Sequence, residues 1–265
     1  MTVCSPPLLK LIPFYRNMKI GLFIPCYVNQ FYPAVGIATL QLLEKVGLGV
    51  YYPLNQTCCG QPMANSGFEH LTKDCNALFV NNFHEYDYIV SPSGSCVLHI
   101  KDHLKVAHRK EEATSIRHKI YELTEFLTDI VRVEKISSKF PYKVGLHQSC
   151  HGQRGLKISQ MTELVAPHFS KTEKLLSMVE GIELIALSRK DECCGFGGTF
   201  CVAEEAVSVK MGKDRLTDHL QHGADYITGN DMSCLMHLEG ILKRQKSGVK
   251  AIHIAEILNG GIDGK

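Results

Sequence analysis

The chain has 265 residues, 45 % hydrophobic and 21 % charged, and its 29 Lys+Arg against 27 Asp+Glu leave a net charge of +2. Such a length corresponds to about two domains with a sizeable core, and the near-average composition excludes disordered, collagen-like and solenoid chains. Near neutrality argues against a nucleic-acid surface or an acidic tail as the organising feature.

Residues 1–17 stand outside the pattern that follows and read as an N-terminal extension, with Met18 a candidate start. The run Leu8 to Phe14 is short, contains Lys10 and is broken by Pro13, so no signal peptide is expected, and no stretch has the ~18 apolar residues of a transmembrane segment. Lys19-Ile-Gly-Leu-Phe-Ile-Pro-Cys26 then reads as a buried strand ending in cysteine. After it, Val35, Ala38, Leu42 and Val46 recur at helical spacing, and Val50-Tyr-Tyr-Pro-Leu54 reads as a second strand. A long helical stretch is predicted over 62–84 from Met63, Phe68, Leu71, Leu78 and Phe79, followed by Tyr86-Asp87-Tyr88-Ile89-Val90 ahead of Cys96.

The chain then repeats itself. Lys143-Val-Gly-Leu-His-Gln-Ser-Cys150 matches the first strand, Cys193-Cys194-Gly195 matches Cys58-Cys59-Gly60, and Ala224-Asp225-Tyr226-Ile227-Thr228 ahead of Cys234 matches the segment ahead of Cys96. A helix is predicted over 201–221 from Val202, Ala206, Val209 and Leu216. Ile120 to Leu127 and Ala251 to Leu258 end the two halves alike. Three strands alternating with three helices in each half predict an α/β fold of two tandem domains, each a mainly parallel sheet flanked by helices. Charge, Ser137-Ser138 and Pro141 place the join between Arg132 and Tyr142, giving domains 18–135 and 136–265.

Eleven cysteines are too few for a disulfide scaffold and many for an ordinary cytosolic enzyme. In a cytoplasmic chain clustered reduced thiols favour metal binding or redox chemistry. Cys26, Cys58, Cys59 and Cys96 each follow a predicted strand, as do Cys150, Cys193, Cys194 and Cys234, so each half is expected to gather four sulfurs into its own pocket. Four crowded thiolates require a cation, and four sulfurs suit an iron–sulfur cluster or tetrahedral zinc. Adjacent cysteines reach one site only in a turn, which Gly60 and Gly195 permit, and Gly197 and Gly198 leave room for a bulky group; both features favour iron–sulfur, with zinc in one half left open.

The other candidates have bland readings beside the functional ones. His99 and His237 follow Cys96 and Cys234 by one helical turn and are potential fifth ligands, though packing or a hydrogen bond to sulfur explains them more simply. His147, His151 and Arg154 around Cys150 suit a carboxylate or a proton shuttle, or a hydrogen bond to sulfur. Cys201 is a substitute ligand or a structural thiol, Cys75 a core residue and Cys4 a surface thiol. Gly195-Phe-Gly-Gly198 lacks the full spacing of a phosphate loop, and no dinucleotide fingerprint is present.

These cysteine sets resemble the cysteine-rich CCG domain pair found in heterodisulfide reductase and in the glycolate oxidase iron–sulfur subunit. Ser91-Pro-Ser-Gly-Ser-Cys96, Ser149-Cys150-His151, Glu192 to Phe200 and Asp231-Met-Ser-Cys-Leu-Met-His237 extend the resemblance, over residues 18–260, to the lactate utilization protein A family. The resemblance implies an iron–sulfur electron-transfer subunit that oxidises L-lactate to pyruvate together with two partner subunits, one ferredoxin-like. A heterodisulfide-type thiol–disulfide reductase subunit and a zinc-binding scaffold are the alternatives. The heterodisulfide branch has Cys-x-x-Cys where this chain has Ser93 and Asp231 as the earlier residue. Four cysteines per half fit an ordinary 4Fe-4S cluster, with Ser93 and Asp231 either oxygen ligands or helix caps.

Overall fold

The computed structural model describes residues 18–260. The 1–17 extension and Cys4 lie outside the described residues. The first half runs β1 (Lys19–Leu22), α1 (Cys26–Phe31), α2 (Pro33–Lys45), β2 (Gly49–Tyr51), α3 (Gln61–Asn65), α4 (Lys73–Phe83), β3 (Tyr88–Ser91), α5 (Gly94–His103), α6 (Lys110–Lys119), β4 (Ile120–Glu122) and α7 (Leu123–Glu125). The second runs β5 (Lys143–His147), α8 (Lys171–Leu176), β6 (Glu183–Leu184), α9 (Phe200–Ala203), α10 (Glu205–Gln221), β7 (Tyr226–Gly229), α11 (Met232–Arg244), β8 (Lys250–His253) and α12 (Ile254–Asn259).

Each half forms a four-stranded parallel sheet, in the order β2-β1-β3-β4 and β6-β5-β7-β8. The tandem α/β architecture is as expected, with a fourth strand in each half supplied by the matched end segments. The duplication extends to single bonds: Asp87 Oδ2 accepts from Lys19 N–H at 2.8 Å, and Asp225 Oδ2 accepts from Lys143 N–H at 2.9 Å. In both sheets the chain reverses direction across the sheet between the first and third strands, which opens a crevice at their carboxyl ends.

Two helix readings need correction. The stretch 62–84 is broken: Gly67, at φ 84°, ends α3, a 3-10 turn spans Glu69–Thr72, and Phe68 and Leu71 are exposed. In 201–221 the chain breaks at Glu204, and of the four apolar residues that signalled the helix only Leu216 is buried, while Val202 is 82 % exposed. The inward face of α10 is instead polar, with Ser208, Arg215, Asp218 and His219 buried. Hydrophobic periodicity fails there because the buried face carries charge.

One apolar core runs through both halves, joining Leu22, Leu42 and Phe126 to Val144, Leu216, Ile252 and Leu258. A second, smaller cluster lies in the first half around Phe23, Phe79 and Phe83. The halves also meet at a polar seam. Ser93 and Asp231, matched residues of the repeat, form an antiparallel bridge, Asp231 Oδ2 accepts from Ser95 N–H at 2.7 Å, and Asn230 Nδ2 donates to Thr124 Oγ1 at 2.8 Å. Among the described residues no helix is long and apolar enough to cross a membrane.

Candidate metal centre

All eight sequence-selected cysteines, Cys26, Cys58, Cys59, Cys96, Cys150, Cys193, Cys194 and Cys234, line a single cavity of about 270 Å³. This corrects the expectation of one pocket per half: the carboxyl ends of both sheets face the same space. Cys26 opens α1 directly after β1, and Cys150 holds the matching place after β5. Cys96 and Cys234 occupy the third position of α5 and α11, whose N-terminal backbone is held by the side chains of Ser93 and Asp231.

The paired cysteines sit in the turns that their glycines were expected to allow. Gly60 has φ 90° and Gly195 φ 83°, and a Cβ at Gly195 would lie 2.6 Å from the Ser208 carbonyl oxygen. The turns also aim backbone donors at sulfur: Gly60 N–H lies 3.3 Å from Cys58 Sγ, Gly195 N–H 3.4 Å from Cys193 Sγ, and Phe196 N–H 3.4 Å from Cys194 Sγ.

Within each half the sulfurs are in mutual contact. Cys26 Sγ is 3.9 Å from Cys58 Sγ, Cys58 contacts Cys59, and Cys59 contacts Cys96. The second half repeats this order through Cys150, Cys193, Cys194 and Cys234. Hydrogen bonds from its two neighbours hold the Cys58 thiol well below its ordinary range, and Cys193 behaves alike. The same contacts, then burial, push Cys26, Cys59, Cys150 and Cys194 up. For Cys234 the hydrogen bond from Cys194 is the largest influence and lowers it, yet burial and the charge of Asp231 outweigh it and leave the thiol raised. Thiols so placed cannot all ionise alone. Two matched sets of four soft donors, with N–H groups aimed at the sulfurs, fit a bound metal or cluster.

Ser93 and Asp231 act as helix caps, as one of their two readings held, and both also line the cavity. His151, Phe196, Gly197 and Gly198 line it too. His99 is buried beside Cys58 and stacks on His103 at 5.0 Å, and burial lowers it to about 4; the Nε2 of His237 lies 3.3 Å from the Ser208 carbonyl. Cys201 is not brought in: it lines a separate groove and its thiol donates to the Gly198 carbonyl at 3.0 Å. Cys75 is half-buried on α4.

His147 is more involved than the sequence suggested. One of its ring nitrogens and the sulfurs of Cys194 and Cys234 all lie within 4.8 Å of one another. Behind it, Arg215 and His219 were not selected from sequence at all. Burial, then the Arg215 charge, lowers His147 to about 3. The available signal was the Phe23-to-His147 difference between the two matched strands.

The family model for the cysteine-rich domain (CCG) matches residues 20–101 and again 144–239. Lactate utilization protein A of Geobacillus sp. (strain WCH70) is 39 % identical over 246 residues, covering 91 % of this chain and 99 % of that protein. Lactate utilization protein A of Exiguobacterium sp. (strain ATCC BAA-1283 / AT1b) is 40 % identical over 250 residues, covering 92 % and 98 %. That of Bacillus subtilis (strain 168) is 38 % identical over 246 residues, covering 91 % and 99 %. Among solved structures, a hypothetical protein from Helicobacter pylori superposes with a TM-score of 0.61 at 13 % identity, over 94 % of this chain and 50 % of that one, which shows a shared fold alone.

Proposed function

The chain belongs to the lactate utilization protein A family and carries the cysteine-rich CCG domain twice, and from that premise we propose that it is the iron–sulfur electron-transfer subunit of a multi-subunit complex oxidising L-lactate to pyruvate. The observation that supports this reading most is the convergence of both four-cysteine sets on one cavity. Cys26, Cys58, Cys59 and Cys96 would hold one centre, and Cys150, Cys193, Cys194 and Cys234 the other, each of the 4Fe-4S type that four sulfurs match. Such centres, when bound, exchange electrons one at a time.

The residues of the chain provide the environment. The peptide N–H groups of Gly60, Gly195 and Phe196 point at sulfur and favour the thiolate, and the N-terminal ends of α5 and α11 place partial positive charge beside Cys96 and Cys234. Asp231 ties the two helix ends together through Ser95, so that both sets keep a fixed mutual position. Conversion of lactate to pyruvate releases two electrons and two protons, and its C–H cleavage needs a hydride acceptor such as a flavin. In this reading that step falls to one of two partner subunits, the other, ferredoxin-like, passing electrons on; the sequence of this chain carries no dinucleotide fingerprint of its own. The cytoplasm, where thiols stay reduced, suits such a chain.

The test is lactate-dependent reduction of an artificial acceptor by the reconstituted complex carrying Cys59→Ser or Cys194→Ser. Each variant is expected to lose one centre's iron and at least tenfold in turnover. Unchanged iron content and unchanged turnover in both would refute the proposal.

A further inference from the structure

The two halves differ directly behind their cysteines. In the first, Phe23 follows β1 and packs on Phe79 and Phe83 of α4, with ring centroids 4.9 and 5.9 Å away, and this cluster also contains Cys59 and Cys96. In the second, His147 takes the place of Phe23. The match continues on the covering helix: a Cβ at Gly21 of β1 would meet Tyr86 and then Phe83, and a Cβ at the corresponding Gly145 of β5 would meet His219. Phe79 lies one helical turn before Phe83, and Arg215 one turn before His219. An apolar trio in one half is therefore a nitrogen-rich trio in the other.

The substitution leaves polar groups unsatisfied. His147 is 1 % exposed, and Arg215 and His219 are 0 % exposed. Both ring nitrogens of His147, both of His219, and Nε and Nη2 of Arg215 have no hydrogen-bond partner. The remaining Arg215 nitrogen donates to Asp218 Oδ2 at 3.0 Å and to the Arg189 carbonyl. Every buried polar group left without a partner is destabilising, and a phenylalanine trio that avoids this cost stands at the matched places of the same chain. His147 reaches Cys194 and Cys234 within 4.8 Å. It does not line the cavity itself, so it stands behind those two sulfurs, where a ring nitrogen can act on them.

We propose that His147, backed by Arg215 and His219, is a positioning group that makes the second cysteine set the more electron-attracting of the two. This rests on the reading of both sets as iron–sulfur sites. Reduction adds one electron to a centre, so an imidazole nitrogen beside its sulfurs that is free to donate, with the Asp218-paired Arg215 guanidinium behind it, favours the reduced form, whereas Phe23 offers the first set neither. The matched sets thus give the chain an internal electrical direction, from the first half toward the second.

The test is an EPR-monitored redox titration, with dithionite as electron donor, of the anaerobic iron-loaded chain and its His147→Phe and Arg215→Met variants; Cys59→Ser and Cys194→Ser assign each potential to its half. The wild type is expected to show two potentials, the higher one in the second half. His147→Phe should lower that potential alone by at least tenfold in the one-electron equilibrium, about 59 mV, and Arg215→Met should move it the same way. Should His147→Phe lose iron, Phe23→His in the first half carries the same test by raising the lower potential. Iron-loaded variants with unshifted potentials, or a second-half potential below the first, overturn this inference alone. A wild-type chain that takes up no iron overturns it together with the iron–sulfur reading.

Discussion

Glu122 shows how far the repeat diverges at single residues. It ends β4 and caps the helix after it, the place that His253 holds after β8, and both side chains are fully buried. Its Oε2 accepts from the backbone N–H of Thr124 and Glu125, while Oε1 has no partner. Burial raises its carboxyl from 4.5 to about 7, only partly opposed by the Thr124 and Asn230 side chains and then by these two N–H groups. With the folded pKa above the unfolded one, the folded state holds the extra proton, so stability falls as pH rises from about 4.5 to about 7. Glu122→Gln removes this dependence. Urea unfolding of the iron-free chain should show the variant gaining about 3 kcal/mol over wild type across that window; a pH-independent difference would contradict the assignment. Nothing in the residue types around Glu122 announced its burial, whereas Cys-Cys-Gly, occurring twice, declared itself because adjacent thiols next to a glycine have few uses other than a shared site.

Between elements, the helix ends do the joining. Ser93 caps only α5, accepting from Cys96 N–H at 3.4 Å, but Asp231 caps α11 through Ser233 N–H and also takes the Ser95 N–H of the other half. Asp231→Ala should therefore destabilise the iron-free chain by about 2–3 kcal/mol, against about 1 kcal/mol for Ser93→Ala. Equal losses in chemical denaturation would show that the bond between halves contributes nothing. At this scale the strand–helix alternation was legible, since buried parallel strands write themselves as short apolar runs. The helices over 62–84 and 201–221 were less so. Gly67 breaks the first, and in the second Arg215, Asp218 and His219 face inward where a periodicity argument looks for aliphatic residues.

For the whole molecule, we propose the division at 135/136 as a boundary of repeats and not of separately stable bodies. The principal core crosses it, with α12 of the second half packed on α2 of the first and Tyr32 donating to Glu239 at 2.8 Å. Residues 136–265 expressed alone should lack a cooperative thermal transition, and the intact chain should unfold in one. A fragment melting cooperatively at the intact chain's midpoint would refute this. Duplication was legible from sequence because both halves keep their cysteines in one order; the merging of two expected pockets into one was not, because it depends on how the sheets face each other. The most direct measurement on that shared cavity is iron, acid-labile sulfide and zinc analysis of chain prepared without oxygen under abundant iron. Two iron–sulfur centres per chain are predicted, falling to one in Cys59→Ser and in Cys194→Ser; stoichiometric zinc, or no metal in any preparation, would contradict the account.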